Sequence, residues 1–277
     1  MKKLPIFVGT GTAMITPFKK DLTVDYESLK KLMEIQLKAG AGALIMCGTT
    51  GEASTLEREE KAEIVYKAKD FVKNDCAVIA GTGCNDTKKA VAFTKDAYEA
   101  GADGILAVTP YYNKATQNGI TKYYKDICDA SPLPVIAYNV PSRTGVNILP
   151  ATAKELWEIP NLFGIKEASG NMAQITEIKS LCGEMHLYSG SDEINLPILS
   201  VGGIGIISVV SNAVPEKTQE MCNRWFEGDT AGALRIQLSL MPLIKQLFSS
   251  VNPIPIKKYL YEKGLTEYVL RPPLYAE

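Results

Sequence analysis

Histidine is nearly missing from this chain: His186 is the only one among 277 residues. Any metal site needing two histidine ligands is therefore excluded, though a carboxylate-rich one is not. A serine–histidine–acid triad would have to use His186, which begins the apolar run HLYSG and reads as structural. The six cysteines include no CxxC pair and sit mostly in apolar surroundings, as buried free thiols in a cytosolic protein do. Charge of one sign is not in excess either. Thirty Lys and Arg face 31 Asp and Glu, giving net charge -1, and the dispersed signs favour no nucleic acid. Residues 1–20 lack the apolar core and cleavage site of a signal peptide. The longest uncharged run, INLPILSVGGIGIISVVSNAVP (194–215), could span a bilayer by length alone. Asn195, Pro197, three glycines and Asn212 interrupt it, so it reads as helix, glycine turn and strand in a soluble core. A cytoplasmic protein without membrane contact is expected.

What is present is a period. Hydrophobic residues make up 46% of the chain, enough at this length for a large core without disulfides or metals. Short apolar runs at 8–15, 43–47, 77–81, 104–108, 135–139, 163–167, 186–189 and 205–209 read as strands. Amphipathic patterns at 25–39, 57–73, 86–100, 117–130, 150–158, 172–182, 193–200 and 215–227 alternate with them as helices. Thr23 or Asp25, Thr55 and Asn85-Asp86 are their candidate caps. KAGAGALI (38–45) and EAGADGIL (99–106) each read as helix end, glycine cap and strand, 61 residues apart, or two strand–helix units. Eight such units predict a parallel (β/α)8 barrel over 1–227, with a helical appendage at 228–277 patterned at 229–249 and 254–263. A doubly wound open sheet is the alternative.

Reactive residues gather after the strand runs: CGTTGEAST (47–55), TPYYNKATQNG (109–119), YNVPSRTG (138–145), Lys166 and SGSDE (189–193). In a barrel these segments share one rim, where active sites form. Lys166 sits within FGIKEASG (163–170), a strand that should be buried. Burial lowers a lysine's pKa, and a neutral amine can attack a ketone to form a Schiff base. Alone, a lysine packed at a strand end with its head in solvent is the commoner case. Gly164, two residues earlier, would leave space beside it for a substrate. Tyr138, ending the neighbouring strand, could shuttle protons, and Arg143 could clamp a carboxylate. A satisfied core tyrosine and a surface arginine are the plainer alternatives. Gly48-Thr49-Thr50-Gly51 offers amides and hydroxyls to a small carboxylate. Gly9-Thr10-Gly11 and Gly81-Thr82-Gly83 form no dinucleotide fingerprint.

From GTGTAMITPF (9–18) through GTTGE, TPYYNK, YNVPSRTG and GIKEASG to GIGIISV (203–209), the chain resembles the pyruvate-dependent class I aldolases and lyases. This family includes N-acetylneuraminate lyase and the dihydrodipicolinate synthases. The resemblance implies a (β/α)8 barrel with Lys166 as Schiff-base lysine and Tyr138 as proton donor and acceptor. It implies that Thr49 and Tyr112 complete a proton relay, Tyr112 coming from a neighbouring subunit, so that the chain is at least a dimer and commonly a tetramer. Thr50 and Ile207 would hold pyruvate, Gly190 would line the pocket, and Arg143 would receive the second substrate's carboxylate. No cofactor or metal is implied. Arg143 and the paired threonines fit the branch that condenses pyruvate with L-aspartate 4-semialdehyde, rather than the sugar-acid aldolases, which typically lack that arginine. A catalytically dead, ligand-binding barrel would give no reason for this set of residues. Lysine-inhibited members carry a histidine and an acid at an interface site, beside an asparagine and a tyrosine. Asn85 and Tyr111 match the latter pair, while Arg58 and Lys89 stand at the former positions. Little or no inhibition by lysine is therefore expected.

Overall fold

The computed structural model describes residues 3–277. Eight strands close into a barrel in sequence order: β1 Gly9–Ala13, β2 Ala43–Met46, β3 Ala77–Gly81, β4 Gly104–Val108, β5 Val135–Asn139, β6 Leu162–Glu167, β7 His186–Ser189 and β8 Gly205–Ser208. Every neighbouring pair is parallel, including β1 with β8, which removes the free edges of an open sheet. Elements expected from periodicity are all present, with ends moved by at most two residues. The 194–215 run is a helix at Asn195–Ser200, a turn through Gly202, and β8, as its interruptions indicated.

The two faces of each strand bury different surroundings. Inward residues such as Ala43, Ile45, Ile79, Leu106 and Ile136 fill the barrel interior. Phe7 stacks on Tyr188 at 4.6 Å and accepts its hydroxyl at 2.9 Å, plugging the interior from the N-terminal segment. Outward residues join the helices in a larger cluster. The glycines of the two related segments, Gly40 and Gly101, have φ of +80° and +86°, the left-handed helix exit that glycine adopts without strain.

Local details depart from expectation. Asp25 and Asp86 cap their helices as expected, but the helix Arg58–Val72 starts at Glu57, in a reciprocal capping box with Glu60. Thr55 instead donates to the Glu52 carbonyl at 3.1 Å. A short helix at Pro141–Thr144, absent from the sequence pattern, carries Arg143. His186 is structural: its Nε2 contacts the Lys3 carbonyl at 2.8 Å. All six cysteines are free and buried. The last two helices, Thr230–Leu247 and Ile254–Glu262, lie outside the barrel. No helix among the described residues is long and apolar enough to cross a membrane.

Candidate active site

Strand register puts the central pair together. Tyr138 on β5 pairs with Lys166 on β6, and the next positions, Asn139 and Glu167, pair likewise. Successive side chains point to opposite faces. Tyr138 and Lys166 therefore meet on one face, with the Lys166 amine 4.0 Å from the centre of the tyrosine ring. On the other, Asn139 donates to the buried Glu167 carboxylate at 2.6 Å, and the Ser169 hydroxyl donates to it at 2.6 Å. This outward bond ties the strand ends that carry the inward pair. Burial pushes the Glu167 carboxyl upward, while its hydrogen-bond donors oppose the shift.

Lys166 is only 6% exposed. Lost hydration brings its pKa down to about 7, which the Asp192 carboxylate opposes and the Arg143 guanidinium reinforces. Near neutral pH a large fraction of this amine is thus unprotonated, the form a nucleophile requires. Burial pushes the Tyr138 phenol upward, with the charge of Arg143 and the hydroxyl of Thr49 acting against it. Gly190 follows β7 beside the lysine. A Cβ there would stand 2.8 Å from the Lys166 Cε, so glycine leaves the side chain its path.

Gly164 serves a different purpose from the one its position suggested. A Cβ on it would lie 2.4 Å from the His186 carbonyl oxygen on β7. Its missing side chain lets two backbones approach and does not make room for a substrate.

A cavity of about 1020 Å³ opens beside the mouth and reaches Thr49, Tyr138 and Arg143. Lys166, Thr50, Ile207 and Gly190 are not part of its lining. Thr50 and Ile207 are both 2% exposed, on the loop after β2 and on β8. Arg58, Lys89, Asn85 and Tyr111 line the same cavity further out, where Arg58 grips Asp96 with two hydrogen bonds of 2.6 and 2.7 Å.

Tyr112 is not brought into this chain's site. It is 87% exposed, with φ +73°, a backbone region that bulky residues rarely adopt. Two residues without an assigned role in the sequence reading also matter. Asp192 accepts from the N–H groups of Val209 and Val210 at 3.0 and 3.1 Å, tying the segment after β7 to the end of β8. Its signal was present in SGSDE, an acid among small residues after a strand. Asn252, far along the chain, donates to the Thr50 hydroxyl at 2.9 Å and had no such signal.

Fold and site together define a class: a (β/α)8-barrel enzyme with a buried amine at the C-terminal mouth. A family model described as the dihydrodipicolinate synthetase family matches residues 6–276. The chain is 50% identical over 261 residues to 4-hydroxy-tetrahydrodipicolinate synthase of Caldicellulosiruptor saccharolyticus, covering 94% of this chain and 88% of that one. The crystal structure of dihydrodipicolinate synthase from Thermotoga maritima superposes with a TM-score of 0.96 at 41% identity, covering 99% of this chain and 94% of that one. The Cyanidioschyzon merolae enzyme, solved with lysine bound, gives 0.95 at 39% identity, covering 98% and 93%. The chain belongs to the dihydrodipicolinate synthetase family, and it is a lyase.

Proposed function

We propose that the chain condenses pyruvate with L-aspartate 4-semialdehyde to give 4-hydroxy-tetrahydrodipicolinate, the first committed step of the diaminopimelate route to lysine. The observation that carries this reading is the buried Lys166 amine, poised near neutrality against Tyr138. Its nitrogen attacks the ketone carbon of pyruvate, and the carbinolamine loses water to leave an imine. Loss of a methyl proton gives an enamine, whose carbon attacks the aldehyde of the second substrate. That substrate's amino group then attacks the imine carbon, releases the lysine and closes the ring. Each of these steps moves a proton, and Tyr138 is the group beside Lys166 to carry it, relayed by Thr49 and a partner subunit's copy of Tyr112.

Thr50 and Ile207 hold pyruvate in this reading, Gly190 lines its pocket, and Arg143 at the rim receives the semialdehyde carboxylate. Residues 1–227 form the catalytic barrel, and 228–277 pack on it as a helical segment. The working form is a cytoplasmic homo-oligomer, because the relay is incomplete in one chain. A coupled assay with pyruvate and L-aspartate 4-semialdehyde, run beside N-acetylneuraminate cleavage, tests the reading. Turnover is expected only in the first. Arg143→Met should weaken semialdehyde use while pyruvate still forms its adduct; turnover of the sugar acid alone would overturn the assignment.

A further inference from the structure

The C-terminal segment reaches back to the loop that carries Thr49 and Thr50. Asn252, 6% exposed, donates from Nδ2 to the Thr50 Oγ1 at 2.9 Å. Its backbone carbonyl accepts from the Arg143 guanidinium at 3.4 Å. Five residues on, Lys257 is 1% exposed and ion-paired with Glu52, while the backbone N–H of Arg271 donates to the same carboxylate at 3.0 Å. The loop held in this way is strained. Cys47 and Glu52, which bracket Gly48–Gly51, each have φ +54°. Non-glycine residues persist there only where their surroundings over-determine the conformation. The Glu52 contacts supply that constraint from more than 200 residues away in sequence.

Asn252 adds direction to the constraint. A threonine hydroxyl has one proton to donate and lone pairs to accept with. Because the amide N–H of Asn252 occupies a lone pair of the Thr50 oxygen, the hydroxyl proton points elsewhere. A proton donor is what an incoming carboxylate needs. The other end of the amide, Oδ1, is buried without a partner among the described residues, so the side chain is not placed to satisfy itself. We propose that Asn252 is a positioning residue: it fixes the Thr50 hydroxyl as a donor to the pyruvate carboxylate and tethers Arg143, making the C-terminal segment part of the substrate site. This inference rests on the roles given above to Lys166 and Thr50.

The test is borohydride trapping of pyruvate on Lys166, with adduct measured by mass spectrometry against pyruvate concentration. Asn252→Asp keeps the shape of the side chain but reverses its polarity, since an ionised carboxylate takes the Thr50 proton for itself. Its half-saturating pyruvate concentration should rise about tenfold or more over wild type at pH 8, the loss of one hydrogen bond to a charged group. The ratio should narrow as pH falls, because a protonated carboxyl regains an O–H donor. Asn252→Ala should also raise half-saturation in the wild-type background, yet change it less than about twofold in Thr50→Val, because both act through one contact. Half-saturation in Asn252→Asp equal to wild type at every pH would overturn the proposal. So would an Asn252→Ala effect that is undiminished in Thr50→Val, or one confined to melting temperature. Absence of any adduct in the wild-type protein would instead remove the Schiff-base reading beneath it.

Discussion

At 6% exposure the Lys166 ammonium has given up most of its hydration, and its pKa falls to about 7. Burial thus makes the amine reactive at a cost in stability. Adduct formation with pyruvate should rise with pH through about 7 and level off above it, rather than rise toward the ordinary 10.5. A rate profile of adduct formation checks this; a midpoint near 10 would contradict it. Between 7 and 10.5 the unfolded chain binds more protons at this residue than the folded one. The lysine's penalty on stability is therefore full below pH 7 and fades as pH rises through that window. Lys166→Met should abolish the adduct and stabilise the fold at pH 7 by about 2 kcal/mol, a few degrees in melting temperature. A destabilised variant would show that the amine is better solvated than its burial indicates. Lys166 was legible in the sequence because a lysine inside an apolar strand is anomalous. Asn252 was not, because an asparagine before a proline reads as an ordinary turn. Only folding brings it against Thr50.

The β6 and β7 strands illustrate how elements hold such residues. Gly164 on β6 lets the chain pass the His186 carbonyl of β7 closer than any side chain allows. Gly164→Ala should force the strands apart and cost about 1–3 kcal/mol, the usual range for overpacking. Because Lys166 is two residues further along, adduct formation should slow as well. Thermal melts and adduct rates measure both, and an unchanged melting temperature would contradict the close approach. Periodicity made the strands and helices legible, since short apolar runs buried on both faces and amphipathic helical patterns are both written locally. The purpose of Gly164 was not, because its neighbour is the backbone of another strand. Thr55 was misread for a related reason. A threonine three residues before the helix resembles a cap, but Glu57 and Glu60 satisfy the first turn reciprocally. The helical turn Pro141–Thr144 is too short to show a period.

For the whole molecule, the barrel was legible from eight repeating units, whereas assembly was implied only by the family resemblance. The exposed, strained Tyr112 gives that implication a physical counterpart. Tyr112→Phe and Lys166→Ala should each be nearly inactive alone, and mixed oligomers should regain activity at sites combining an intact lysine with a partner's intact tyrosine. No recovery in verified mixed oligomers would place the relay within one chain. The outer cavity bears on regulation. Arg58 and Lys89 line it with positive charge, although Asp96 engages Arg58, so added lysine should inhibit weakly or not at all. Strong, saturable inhibition that Lys89→Glu does not increase would contradict this. The measurement that tests the central claim most directly is peptide mapping after pyruvate and borohydride. The account predicts one reduced pyruvate adduct, on Lys166 alone. An adduct on another lysine, or none while the enzyme turns over, would contradict it.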